Sequence, residues 1–124
     1  MTSLRSLYLG KNIIHGLSGV SQLTGLQQLD LADNDLRSLS ELSTLKQLRT
    51  LNVSNNKLST VVELEDLAGC PHLETLDLAN NKISDAAALS FLTSLPLSLL
   101  RLVGNPVVSN TRCARDQSFV LTGI

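Results

Sequence analysis

The chain has 124 residues, a mass of 13.3 kDa, 43% hydrophobic and 17% charged residues, and a net charge of −1. That balance describes one globular domain and excludes a disordered chain. With 10 Lys+Arg against 11 Asp+Glu, nothing draws it onto a phosphate backbone or an anionic membrane.

From residue 4 onward one pattern, LxxLxLxxNxL, returns five times. The first copy is Leu4, Leu7, Leu9, Asn12, Ile14; the second is Leu26, Leu29, Leu31, Asn34, Leu36. The third is Leu48, Leu51, Val53, Asn56, Leu58; the fourth is Leu73, Leu76, Leu78, Asn81, Ile83; the fifth is Leu97, Leu100, Leu102, Asn105, Val107. The asparagines step by 22, 22, 25 and 24 residues. In each copy the LxL pair predicts a short strand with two side chains inward and the residue between them outward. The Asn amide, which both donates and accepts, suits a turn whose backbone would otherwise be buried unpaired.

Between strands, Leu17, Val20 and Leu23, then Leu39, Leu42 and Leu45, recur every third residue, which predicts 3₁₀ turns. The fourth and fifth units, counted to Asn81 and Asn105, are longer, with room for helices over 61–68 and 86–92. Asp85 is placed to cap the second of these, and Pro71 and Pro96 to end both segments. Repeats therefore occupy 1–107, and 108–124 reads as a helical C-terminal cap, either truncated or closing in its own way, with Phe119 and Leu121 over the fifth repeat. Leu4, Leu7 and Leu9 are expected to face water unless more chain, a partner or a second copy covers them.

Leucine supplies 28 of the 124 residues and aromatics only three (Tyr8, Phe91, Phe119), as fits a small unit repeated many times. The pattern resembles the leucine-rich repeat. The fold this implies is an α/β solenoid, with a curved parallel sheet on the concave face and 3₁₀ turns and short helices on the convex face. The 22-residue unit is similar to the intracellular group that includes the phosphatase-1 regulatory subunit and the spliceosomal A-prime subunit. Leu58-x-Thr60-Val61, Cys70, Leu76-Asp77-Leu78, Asn81-Lys82-Ile83-Ser84-Asp85 and Gly104-Asn105-Pro106-Val107 resemble the leucine-rich dynein axonemal assembly factor family. That resemblance implies a scaffold in the cytoplasm of ciliated or flagellated cells. It would help preassemble dynein arms, with dynein chains or assembly chaperones as partners. A regulatory adaptor of a protein phosphatase or another cytosolic complex is the alternative. The family's Tyr-Arg pair in the cap is here Ala114-Arg115, so only the Arg matches.

Residues flanking the inward Leu pair are expected on the concave face, in rows from Ser6, Tyr8, Gly10 through Thr50, Asn52, Ser54 and Thr75, Asp77, Ala79 to Leu99, Arg101, Val103. The central column, Tyr8, Asp30, Asn52, Asp77 and Arg101, is either a solvated face or a protein-binding stripe anchored by Tyr8 and Arg101. Five strands at about 4.8 Å spacing give a strip of roughly 300 Å², short of the roughly 800 Å² per partner of a standard interface. The loops after the strands (Lys11, Asp33, Asn55, Asn80) or a flank must add to it. Between 61 and 85, six acids stand against one base, Lys82. Glu63, Glu65 and Asp66 therefore form either an ordinary solvated surface or an acidic docking flank for a basic partner.

No catalytic, cofactor or metal signature is present: GxxxxGK[ST], GxGxxG and HExxH are absent. His15 and His72 lie in different repeats with no nucleophile motif around them. Cys70 and Cys113, 43 residues apart, are too few for a disulfide framework and read as buried thiols in a reducing compartment. Direct nucleic-acid binding lacks a basic patch and stacking aromatics, no apolar run spans a membrane, and the N-terminus carries no secretory signal. Leu76→Asp, a charge at the centre of the stack, is expected to unfold the domain. Thermal melting followed by circular dichroism checks this, and a variant that melts like the parent would refute the repeat register.

Overall fold

A computed structural model describes residues 4–14, 16–17, 19–20, 22–106 and 120–121. Strands β1 (Ser6–Tyr8), β2 (Gln28–Asp30), β3 (Thr50–Asn52), β4 (Thr75–Asp77) and β5 (Leu99–Arg101) each fall on an LxL pair. They pair in parallel in chain order, and Leu7, Leu29, Leu51, Leu76 and Leu100 share one register. Val120–Leu121 joins as β6, antiparallel to β5, with Leu121 opposite Leu100. The helix expected in the cap, with Phe119, lies outside the described residues, as do His15 and Cys113.

The inward leucines of repeats two to five merge into a single core, in which Leu26, Leu31, Leu51, Leu76 and Leu100 have no exposed surface. Leu4, Leu7 and Leu9 were expected in water. They are half-buried against that core, because repeat two covers one side of them and no described residue covers the other.

The spacing of three marks chained turns. The N–H groups of Val20, Leu23 and Leu26 each donate to the carbonyl three residues earlier, and Leu42, Leu45 and Leu48 repeat this. A 3₁₀ helix, Leu42–Thr44, forms in the second of these runs. The helix expected over 61–68 is split: α1 (Val61–Leu64) is one turn, followed by a 3₁₀ helix at Glu65–Gly69. Packing explains the change. A Cβ on Gly69 would lie 2.4 Å from the Ser43 Cβ, so this segment closes directly onto the preceding 3₁₀ turn. α2 (Ala86–Thr93) is a true helix that buries Ala88 and Leu92, and Asp85 caps it by accepting from the Ala87 N–H at 3.0 Å.

Each asparagine binds two repeats. Asn56 Nδ2 donates to Val53 O and Ser54 O in its own repeat and to Leu31 O in the one before, while its Oδ1 accepts from Leu36 N–H. Asn81 does the same through Val53 O and Leu58 N–H, and Asn105 through Leu78 O and Ile83 N–H. The Asn12 side chain, exposed in the first repeat, donates to Leu9 O and Gly10 O of its own repeat and, among the described residues, reaches no preceding one. Asn56→Ala leaves four buried backbone groups without this partner and should lower the unfolding free energy by about 1–3 kcal/mol. Asn12→Ala should cost less than about 1 kcal/mol, because water replaces its bonds. Urea titrations of both variants measure the difference.

Candidate protein-binding face

Register places Tyr8, Asp30, Asn52, Asp77 and Arg101 side by side on five strands, as the sequence predicted. Three of them also serve the fold. Asp30 Oδ1 accepts from Ala32 N–H, Asn52 Oδ1 from Ser54 N–H and Asp77 Oδ1 from Ala79 N–H, each at 3.0 Å. These are Asx turns, which pull the chain out of the strand. The next residue, Asp33, Asn55 or Asn80, is left-handed with φ of 57–59°. Lys11 takes this conformation in the first repeat and Gly104 in the fifth. Gly104 is needed twice over, since a Cβ there would come within 2.0 Å of Asn80 Oδ1.

The turns correct one expectation. Ser54 and Ala79, read as concave-face residues, are buried. Their N–H groups are taken by the Asx side chains and their carbonyls by the N–H groups of Asp33 and Asn55, so the chain is already folding inward at that row. In the first four repeats the row takes small residues, and even Gly10 would place a Cβ 3.3 Å from Ala32 O. The usable face is therefore the column with the flanking row Ser6, Gln28, Thr50, Thr75 and Leu99, together with the exposed loop residues Lys11, Asp33, Asn55 and Asn80.

The ends of the column differ. Tyr8 is 67% exposed, and its hydroxyl and that of Ser6 both donate to Gln28 Oε1 at 3.1 Å. Arg101 Nη1 bonds Asp77 Oδ2 at 3.2 Å, so this anchor is held within the sheet. A hollow of about 270 Å³ lies between Tyr8, Gln28, Leu29, Asp30, Thr50 and Asn52.

The three residues of the acidic flank have separate jobs. Glu63 turns back to accept from the N–H groups of Ser59 (2.8 Å) and Thr60 (3.3 Å), the return half of a capping box at the start of α1. Asp66 accepts from Ser43 Oγ at 3.4 Å, and Glu65 is exposed. Thr60-Val61-Val62-Glu63 is the sequence signal for this. A basic groove was missed: Arg37, Lys57 and Lys82 line an open space of about 440 Å³ beside Ser59 and Glu63. They stand one or three residues after the repeat asparagines, so they gather on one flank. Lys57 is ion-paired with Asp35.

Among the described residues no cluster of three or more His, Cys, Asp or Glu could hold a metal ion, and no helix is long and apolar enough to cross a membrane.

A family model described as leucine-rich repeats in two copies matches residues 2–44, 24–69 and 46–94. No curated protein matches the sequence. The crystal structure of internalin C2 from Listeria monocytogenes is similar, with a TM-score of 0.70 and 34% identity over 82% of this chain and 43% of that one. A second internalin from the same organism, inlF, gives 0.68 and 31% over 84% of this chain and 29% of that one. The chain thus spans less than half of either structure.

The thiol of Cys70 is a poor nucleophile by position. It is 5% exposed and its Sγ lies 3.4 Å from Leu42 O, to which it donates. Burial pushes its pKa up to about 11 from 9.0, against the lowering effect of Lys46. The unfolded chain therefore loses this proton first, and the folded chain keeps it to higher pH. Cys70 should make stability fall as pH rises between about 9 and 11, by at most about 1.4 kcal/mol per pH unit, with no effect below that window. Urea titrations of the parent and Cys70→Ala across that range isolate the slope.

Proposed function

The chain belongs to the leucine-rich-repeat family, and on that premise we propose that it is a non-catalytic scaffold that binds a protein partner across its strand face. The observation that carries this is the contrast within each repeat. The asparagine recurs in every repeat and the inward pair is leucine throughout but for Val53, while the outward column runs Tyr, Asp, Asn, Asp, Arg in fixed register. A regular frame that displays non-repeating polar groups suits recognition of one extended surface. Exposed Lys11, Asp33, Asn55 and Asn80 widen the strip toward the area a stable complex needs.

Within this reading, the residues of Leu58–Val107 support a narrower role, the preassembly of axonemal dynein arms in the cytoplasm of ciliated or flagellated cells. That role rests on the residue match alone; the similar solved structures are bacterial internalins. A phosphatase adaptor is the alternative. Half-exposed Leu4, Leu7 and Leu9 beside β1 support contact with a second copy at that edge.

The test is affinity capture with the full-length tagged protein, mass spectrometry of what it retains, and hydrogen-exchange mapping of the purified complex. Protection over 6–11, 28–33, 50–55 and 75–80 is expected. Protection confined to α1, α2 and the 3₁₀ turns would overturn the proposed face. Dynein chains with chaperones would support the narrower role, and a phosphatase catalytic subunit without dynein would replace it with the alternative.

A further inference from the structure

The two aspartates of the column occupy the same place in their repeats and make the same backbone bond, yet their outer oxygens differ. Asp77 gives Oδ1 to the Ala79 N–H and Oδ2 to a guanidinium, that of Arg101 on the adjoining strand. Asp30 gives Oδ1 to the Ala32 N–H, but its column neighbours are Tyr8 and Asn52, and neither carries a positive charge. Among the described residues no donor reaches its second oxygen. Lys11, whose N–H bonds the Ala32 carbonyl, makes no ion pair with it.

The surroundings of Asp30 suit a cation. Tyr8 stands directly across the register, tethered through its hydroxyl to Gln28 and still 67% exposed. An aromatic ring beside a carboxylate is a favourable setting for a guanidinium, which can bond the oxygen in its plane and lay its face on the ring. The hollow of about 270 Å³ leaves that space open, with Thr50 and Asn52 on its far side.

We propose that this hollow receives one arginine side chain of a protein partner, whose guanidinium makes at Asp30 the bond that Arg101 makes at Asp77, with the Tyr8 ring beside it. The proposal rests on the strand face being the binding face and names what that face takes. The fold supplies its own template for the bond in one row and leaves the same position open two rows away. The partner is thus a protein with an exposed arginine on an extended segment, and the subsite sits at the N-terminal half of the column because Arg101 already fills the C-terminal half.

The test uses the whole chain, labelled with nitrogen-15 and titrated with blocked Gly-Arg-Gly and, as the uncharged control, blocked Gly-Gln-Gly. The arginine peptide should give saturable amide shifts at Tyr8, Gln28 and Ala32 with a dissociation constant on the order of millimolar. The glutamine peptide should give none. Asp30→Asn should weaken binding at least tenfold while the fold persists, since Asn52 makes the same turn with an amide side chain. Tyr8→Leu should weaken it about two- to fivefold. In Arg101→Ala the freed Asp77 should acquire a second site, read at Ala79.

Absence of saturable shifts at Ala32 in the parent, or shifts that persist in Asp30→Asn, would overturn the proposal. So would arginine binding at Asp77 in Arg101→Ala with Asp30 silent. A protein partner that protects the strand face and binds Asp30→Asn as tightly as the parent would overturn this subsite and leave the binding face standing. A footprint on the convex side would overturn the binding face and, with it, the placing of a partner's arginine in the hollow, even where the peptide still binds there.

Discussion

The structure depends on what one side-chain amide can do at the seam between two repeats. A turn that carries the chain inward from a buried strand has more backbone polar groups than its own repeat can pair. The asparagine meets this by donating to carbonyls of its own repeat and of the preceding one, and by accepting an N–H of the preceding one. Aspartate could not donate, leucine could do neither, and glutamine would place the amide one methylene too far out. Because Asn34, Asn56, Asn81 and Asn105 each reach back by one repeat, they set the stacking register as well as the turn. The parallel strands and the merged leucine core follow from that register.

The strand positions, the inward leucines and the asparagine were legible in the sequence because each returns five times at a fixed offset within its copy. Any misreading of one copy would have broken the alignment with the other four. The 3₁₀ turns were legible for a related reason: a leucine every third residue matches a helix with three residues per turn. Where the sequence misled, the decisive contact lay in another repeat or in the backbone. The helix over 61–68 gives way to 3₁₀ because Gly69 must approach Ser43, 26 residues earlier. Ser54 and Ala79 are polar-face positions by alternation alone, but the Asx turn ends the alternation one residue sooner.

The charge census of 61–85 is a different case. It counts carboxylates without asking what they accept. Glu63 is committed to the N–H groups that open α1, and Asp66 to a serine of the neighbouring turn. Only Glu65 of the three presents its charge to solvent without such a commitment among the described residues. The converse holds for Arg37, Lys57 and Lys82, which lie far apart in the sequence and meet because the asparagine steps bring the residues just after each asparagine onto one flank.

The same reasoning separates frame from function on the strand face. Asp30, Asn52 and Asp77 are all needed as acceptors for the turn, so an oxygen acceptor in the column is explained by folding and carries no information about a partner. What folding leaves undetermined is whether the side chain is an acid or an amide, since Asn52 serves as well as Asp30. It also leaves undetermined the residues at the two ends, Tyr8 and Arg101, which make no such turn bond. Recognition on this repeat frame is therefore carried by the surplus over the turn's requirement: the second oxygen of an aspartate, a ring where other repeats have an Asx, and a guanidinium that satisfies one acid and leaves the other open.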